Sequence, residues 1–255
     1  MVSGLPSLDP AYLPDTWVAG DGRLAATIRD GTGIRILDVS SGTVVRSLTP
    51  LPTTSRTVYF TTVVGWTADG TGVLAFRQTD DPAGLAELFV VDASSGAVRM
   101  STHLPWTPNE AVEDPAGRVL AVGGDGGRLV FLDPATGKEV APSVTANDSS
   151  VYNLSASADG RWYSASGGPP QVTLWDAHAF SLVGGPLPVD ADARDARSRF
   201  TPDGRLVVAT GGTLRAFTVD PAAWVARACA EAGRSLTIDE WNQYLPERAF
   251  DGACS

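Results

Sequence analysis

The stretch SADGRWYSASGGPPQVTLWD, residues 157–176, contains two short strand-like runs with tight turns beside them. Its Asp-Gly pair favours a hairpin turn, because glycine adopts a positive φ without steric cost. A short apolar run follows, then a turn rich in glycine and proline, and then a second run that ends at Trp175 and Asp176. Short runs between such turn residues predict antiparallel β-strands.

The same pattern occurs five times along the chain. The interval from the turn residue to a closing aspartate is 17 residues in four copies and 23 in the second. Successive copies start 48, 47, 43 and 44 residues apart, so each copy is predicted to be one structural unit. The turn residues are Asp21, Asp69, Ala116, Asp159 and Asp203, and the closing aspartates are Asp38, Asp92, Asp133, Asp176 and Asp220.

Each of the first four copies predicts four strands. The second strand, in runs such as RLAAT (23–27), RVLAV (118–122) and RLVVA (205–209), is almost continuously apolar, which is typical of burial on both faces. Four strands in roughly 45 residues are typical of a propeller blade, whose faces are buried by neighbouring blades. We therefore predict an all-β fold over residues 1–220, a β-propeller of about five four-stranded blades.

The fifth copy has room for only three strands before a helix is predicted. VSGLPSL (Val2 to Leu8) resembles VGGPLPV (Val183 to Val189), which lies where the outer strand of the fourth copy is expected. We therefore favour a five-bladed ring in which Val2 to Leu8 supply the missing strand. The alternative is that they are the outer strand of a preceding blade in a larger ring.

Residues 221–255 predict a short helical hairpin packed on the propeller. Asp220 offers an N-cap acceptor, and proline follows it at the first helical position, while Gly233 is suited to end this helix. Thr237 and Glu240 have the spacing of a capping box at the start of a second helix.

Two aromatic residues and two cysteines belong to this tail. Trp241 and Tyr244 fall on one helix face, and we expect them to cover part of the propeller; the alternative is that they form a binding site. Cys229 and Cys254 are the only cysteines. They either form a disulfide, which loop-closure arguments value at about 3 kcal/mol, or remain two buried thiols.

The Trp175–Asp176 dipeptide, the SADGR and TPDGR turns and the segment DPATGKEV resemble the WD-repeat family over about residues 15–220. The Gly-His pair of that family is absent, and the chain has two histidines, His103 and His178. RACAEAGRSLTIDEWNQYLPERAFDGAC, residues 227–254, is similar to the C-terminal end of actinobacterial WD-repeat regulators, in which a propeller follows a signalling NTPase module. This resemblance implies the sensor or scaffold end of such a protein, or a short stand-alone relative.

The net charge of −10 opposes nucleic-acid binding, which relies on clustered lysine and arginine. No apolar run approaches the length of a membrane span, and the first residues do not form a signal peptide, so we expect a cytoplasmic protein without membrane contact. A secreted binding propeller with a signal upstream is the alternative.

Motifs for chemistry are missing from the sequence. It contains no nucleophile elbow, phosphate loop, dinucleotide fingerprint or zinc-protease motif, and its two histidines are few for a metal site. We therefore expect no catalytic residue, no metal and no cofactor. The alternative is a propeller enzyme, related to lactonases or quinoproteins, with its site at the channel mouth.

We expect a non-catalytic protein-interaction or sensor scaffold that binds a protein partner through the loops around the channel mouth. Trp106, between two prolines, is either an exposed anchor or a side chain tucked between blades. The candidate binding residues are Arg56, Trp106, Tyr152, Arg194 and Arg197.

Overall fold

A computed structural model describes residues 16–28, 33–48, 58–79, 85–190, 192–252 and 254. Its strands form five antiparallel sheets in which neighbours in space are neighbours in sequence. Sheet 1 contains β1 (Thr16–Val18), β2 (Leu24–Ile28), β3 (Ile34–Asp38) and β4 (Val44–Ser47). Sheet 2 contains β5 (Val58–Trp66), β6 (Gly72–Thr79), β7 (Ala86–Asp92) and β8 (Val98–Leu104). Sheet 3 contains β9 (Pro108–Glu113), β10 (Leu120–Gly124), β11 (Arg128–Leu132) and β12 (Glu139–Thr145).

Sheet 4 contains β13 (Ser150–Ala156), β14 (Trp162–Gly168), β15 (Gln171–Asp176) and β16 (Ser181–Leu182). Sheet 5 contains β17 (Ala196–Phe200), β18 (Arg205–Thr210) and β19 (Thr213–Thr218). The first strand of each sheet contacts the first strand of the next, from β1 through β5, β9 and β13 to β17. Four apolar clusters fill the spaces between successive sheets. The prediction of an all-β, propeller-like fold with a C-terminal helical hairpin is confirmed.

The repeated aspartates shape the turns through local hydrogen bonds. The Asp133 carboxylate, for example, accepts hydrogen bonds from the Ala135 and Thr136 amides at 2.8 and 2.9 Å. These bonds hold the pKa of Asp133 below its usual range. In the fifth copy the closing aspartate, Asp220, instead accepts from the Ala222 amide and caps a helix. One residue type thus ends a strand in four copies and begins a helix in the last.

Sheet 5 has three strands within the described part of the chain, as the sequence predicts. The segment Val2 to Leu8, which we expected to complete it, lies outside the described residues. The hairpin between the first two strands of sheet 5 is also one residue shorter than the corresponding hairpins of the other four sheets. The amide of Thr201 donates to the Arg205 carbonyl, whereas Ser157 in sheet 4 donates to the Trp162 carbonyl.

This shorter hairpin changes which side chains of β18 face sheet 4. Leu206 and Val208 are buried against sheet 4, whereas Val207 and Ala209 are only half-buried on the opposite face. In β10, by contrast, every residue is buried. The expectation that the second strand is buried on both faces is therefore right for β10 and wrong for β18.

The tail forms helix α1 (Pro221–Ala232) and helix α2 (Ile238–Tyr244). Trp224 of α1 packs against Trp162 of sheet 4, with ring centroids 5.8 Å apart, and its Nε1 donates to the Thr218 carbonyl at 2.6 Å. Trp241 packs instead on Phe250 within the tail, and Tyr244 is exposed, so these two side chains do not jointly cover the propeller as expected. Neither described helix is long and apolar enough to cross a membrane.

Candidate functional site

The predicted binding residues occupy three different situations. Arg56 lies outside the described residues. Trp106 is only 8% exposed and belongs to the apolar cluster between sheets 2 and 3. A Cβ atom on Gly124 would lie 2.5 Å from its Cζ3 atom, so glycine is needed there to admit the indole. Trp106 is therefore buried between sheets 2 and 3, which is the second of its two expected placements.

Tyr152, Arg194 and Arg197 are exposed and lie at the boundary between sheets 4 and 5. The Asn153 side-chain oxygen accepts a hydrogen bond from the Ser198 amide at 2.8 Å, which places Tyr152 beside Arg197 on adjacent strands. The Arg194 carbonyl oxygen lies 3.1 Å from the position of a Cβ on Gly168, at the same end of sheet 4. We call Tyr152, Arg194 and Arg197 the mouth cluster.

A β-bulge accounts for the exposure of Tyr152. Val151 pairs with Gly167 and Asn153 pairs with Ser166, so Tyr152 is left between them without a partner on β14. Such a bulge redirects a side chain out of the regular alternation of the strand. The tyrosine is consequently 53% exposed between two buried neighbours.

Beside the mouth cluster, a polar network that is buried apart from the half-exposed side chain of Arg199 joins three sheets. Glu110 on β9 is 1% exposed, and its carboxylate accepts hydrogen bonds from Asn153 Nδ2 at 3.2 Å and from Arg199 Nη2 at 3.0 Å. Arg199 also donates through Nη1 to the Leu154 carbonyl at 2.7 Å. One guanidinium on sheet 5 thus crosses sheet 4 and reaches sheet 3.

Hydroxyl groups extend this network into sheet 4. The Ser166 hydroxyl donates to Asn153 Oδ1 at 3.3 Å. The hydroxyl oxygens of Ser166 and Ser198 are 3.1 Å apart. Ser198 also donates to the Ser164 hydroxyl at 3.0 Å. These buried groups are hydrogen-bonded to one another, so the network positions β13 and β17, the strands that carry Tyr152 and Arg197.

Burial dominates the ionisation of Glu110. It raises the pKa of this carboxyl to about 7, although the Arg199 charge, the Leu154 amide and Asn153 all favour the charged form. The carboxylate already has three protein partners, so the geometry describes a structural connection between sheets. Its sequence signal is a glutamate beside the apolar pair Ala111 and Val112 in β9, and this glutamate was not among the candidate residues.

A separate cleft of about 470 Å³ lies at the turn end of sheets 2 and 3, lined by Asp69, Arg99 and Glu113 among others. Glu113 accepts a hydrogen bond from the Ala68 amide at 2.7 Å, and burial raises its pKa. Within the described ranges, no group of three or more His, Cys, Asp and Glu side chains is placed to hold a metal ion.

Cys229 and Cys254 are joined by a disulfide in the tail, with their Cα atoms 5.2 Å apart. The bond connects α1 to the end of the chain and lies apart from the mouth cluster.

Comparison with known proteins adds no family: no protein-family model matches the chain, and no curated protein matches it either.

Proposed function

We propose that the chain is a non-catalytic, propeller-like scaffold that binds a protein partner at the mouth cluster. The observation that carries this proposal is the set of exposed Tyr152, Arg194 and Arg197 side chains on a boundary fixed by buried hydrogen bonds. Tyrosine and arginine are enriched among residues that dominate protein interfaces. A surface held rigid before binding also loses less conformational entropy on association.

The cellular setting is proposed from sequence resemblance. The similarity of residues 227–254 to actinobacterial WD-repeat regulators supports a role as the C-terminal module of a bacterial signalling or regulatory protein. The acidic net charge supports a protein partner over nucleic acid, and we propose that the chain acts in the cytoplasm.

The test compares two triple variants of the full chain as affinity baits in a lysate of the encoding organism. In the mouth variant, Tyr152, Arg194 and Arg197 become alanine. The control variant changes the same residue types on the tail, at Tyr244, Arg227 and Arg248, all exposed. A partner should be captured by the wild type and the control and lost by the mouth variant.

The captured protein should then bind the mouth variant at least ten-fold more weakly in a purified two-component assay. Equal capture by both variants contradicts the proposal. Metal analysis of the purified chain addresses the rival enzyme hypothesis: a stoichiometric metal ion would favour a catalytic site at the channel mouth over a scaffold.

A further inference from the structure

The outer edge of sheet 5 differs from that of the other four sheets. In sheets 1 to 4 a fourth strand pairs with the third, as β12 does with β11. In the described part of sheet 5, β19 is the outermost strand. An unpaired strand edge presents free amide and carbonyl groups that can pair with another chain.

Hairpin geometry identifies which groups of β19 point outward. Thr210 pairs with Thr213 across the two-residue turn, whose glycines both have positive φ, so the Thr213 amide points inward to β18. Because successive residues alternate, the backbone groups of Leu214, Ala216 and Thr218 point outward. Trp224 Nε1 donates to the Thr218 carbonyl, which independently supports this direction.

Trp224 thus covers one end of the edge, and no other described residue is hydrogen-bonded to its outward backbone groups. Among the described residues, the outward backbone groups of Leu214 and Ala216 have no hydrogen-bond partner. Other outer strands carry features that oppose further pairing: β12 contains Pro142, and β16 is only two residues long. The six residues of β19 include neither a proline nor a glycine.

The side chains of β19 define the chemistry of a suitable partner. Leu214, 74% exposed, and Ala216 make one face of the edge apolar. Arg215 is exposed on the opposite face, where its Nη1 donates to the Pro188 carbonyl at 3.3 Å, and it is the only charged residue of the strand. A strand added beside β19 would therefore be favoured by apolar residues on one face and carboxylates on the other.

The same charge disfavours pairing between two copies of this chain. In a two-fold antiparallel pair of β19 strands, the two Arg215 side chains would lie on the same face near each other. Like charges facing each other across strands are destabilising. The partner is thus expected to be a different, acidic segment.

We propose that β19 binds an extended segment of a partner protein, with alternating apolar and acidic residues, as the fourth strand of sheet 5, in place of the Val2 to Leu8 segment that the sequence pattern favours. The backbone of the segment would pair with Leu214 and Ala216, and its carboxylates would face Arg215. This mode of recognition obtains affinity from main-chain hydrogen bonds and specificity from alternate side chains. It is independent of the mouth cluster.

The probe is a labelled seven-residue peptide that alternates valine and glutamate, titrated with the full chain by fluorescence anisotropy. We expect saturable binding that weakens at least ten-fold in Ala216→Pro, because proline removes an outward amide without touching the β18 ladder. Circular dichroism and the melting temperature of Ala216→Pro should match those of the wild type.

Arg215→Glu provides a second test with reversed charge. It should lose the glutamate peptide and gain at least ten-fold preference for a valine–lysine peptide, which the wild type should bind poorly. The mouth variant should bind the glutamate peptide normally, so failure here is distinguishable from failure of the proposed function.

Three outcomes would overturn the proposal. The first is peptide binding that is unaffected by both substitutions. The second is binding that appears only after deletion of residues 2–8, which would assign the edge to the chain's own N-terminal segment. The third is a concentration-dependent dimer, seen by sedimentation, that Ala216→Pro abolishes.

Discussion

Leu129 in sheet 3 and Leu214 in sheet 5 occupy equivalent places in their sheets but opposite environments. Each is the second residue of the third strand and pairs with a residue of the second strand, Gly123 or Ala209. Leu129 is 0% exposed and Leu214 is 74% exposed. Sheet 4 covers the first of these faces, while the corresponding face of sheet 5 is open among the described residues. The repeat therefore specifies a strand, and the neighbouring sheet decides whether its side chain is buried.

The largest expected effect tests this comparison directly. Leu129→Ala should lower the free energy of unfolding by about 2–5 kcal/mol, because it leaves a cavity between sheets 3 and 4. Leu214→Ala should change it by less than about 0.5 kcal/mol, since the side chain is already in solvent. Urea denaturation measures both. Similar losses in the two variants would contradict the difference in burial.

The sequence pattern predicts what is local in this comparison. Asp-Gly turns, closing aspartates and helix caps depend on residues within a few positions of one another, and the structure contains them. The one-residue shorter hairpin at Thr201 is also local, but its effect is not: a one-residue change reverses which side chains of β18 face sheet 4.

Long-range features were not predicted, because the sequence pattern specifies only contacts between residues that are close in the chain. Glu110 and Arg199 are separated by 89 residues, and no local pattern pairs a glutamate with an arginine at that distance. The exposure of Tyr152 depends on a bulge, and the burial of Trp106 depends on space above Gly124. The sequence thus suggested candidate residues, but the packed sheets decide which of them are buried and which are exposed.

The Glu110–Arg199 ion pair links sheets 3 and 5 and gives the second prediction. A folded-state pKa of about 7, against an ordinary value near 4.5, means that the folded chain holds this proton more tightly than the unfolded chain. The Glu110 contribution should therefore reduce the free energy of unfolding as pH rises from about 4.5 to 7, by up to about 3 kcal/mol. Denaturation at several pH values measures the slope.

Glu110→Gln should reduce this slope by the Glu110 contribution and leave the smaller part from Glu113, whose pKa burial also raises, and Glu139→Gln, at an exposed position on β12, should keep the whole slope. The turn aspartates act in the opposite direction and in another range. Their lowered pKa values, as at Asp159 and Asp176, make stability fall as pH drops below about 4. A wild-type free energy of unfolding that rises from pH 4.5 to 7 would be inconsistent with a buried Glu110 carboxyl. The same would follow if Glu110→Gln had the same pH profile as the wild type.

The disulfide should affect the tail more than the sheets. Cys229 and Cys254 are separated by 25 residues, and breaking a loop of this size costs about 3 kcal/mol on loop-closure arguments. Cys254→Ser should therefore increase amide exchange in α1 and α2 while leaving β11 protected. The wild type in reductant should behave as the variant does. Faster exchange throughout sheet 3 would show that the tail supports the whole fold.

The smallest expected effect concerns how α1 stabilises the outer edge of β19, which has no neighbouring strand on that side among the described residues. Trp224→Phe keeps an aromatic ring near Trp162 but removes the Nε1 donor to the Thr218 carbonyl, which should cost about 1 kcal/mol. Hydrogen exchange should increase at the end of β19 and remain unchanged in β11, which β12 covers. Trp241→Phe is the matched control, because its indole donates within the tail to the Arg248 carbonyl. If both substitutions leave β19 equally protected, α1 does not stabilise that edge, and the difference between sheets 3 and 5 lies in neighbouring sheets alone.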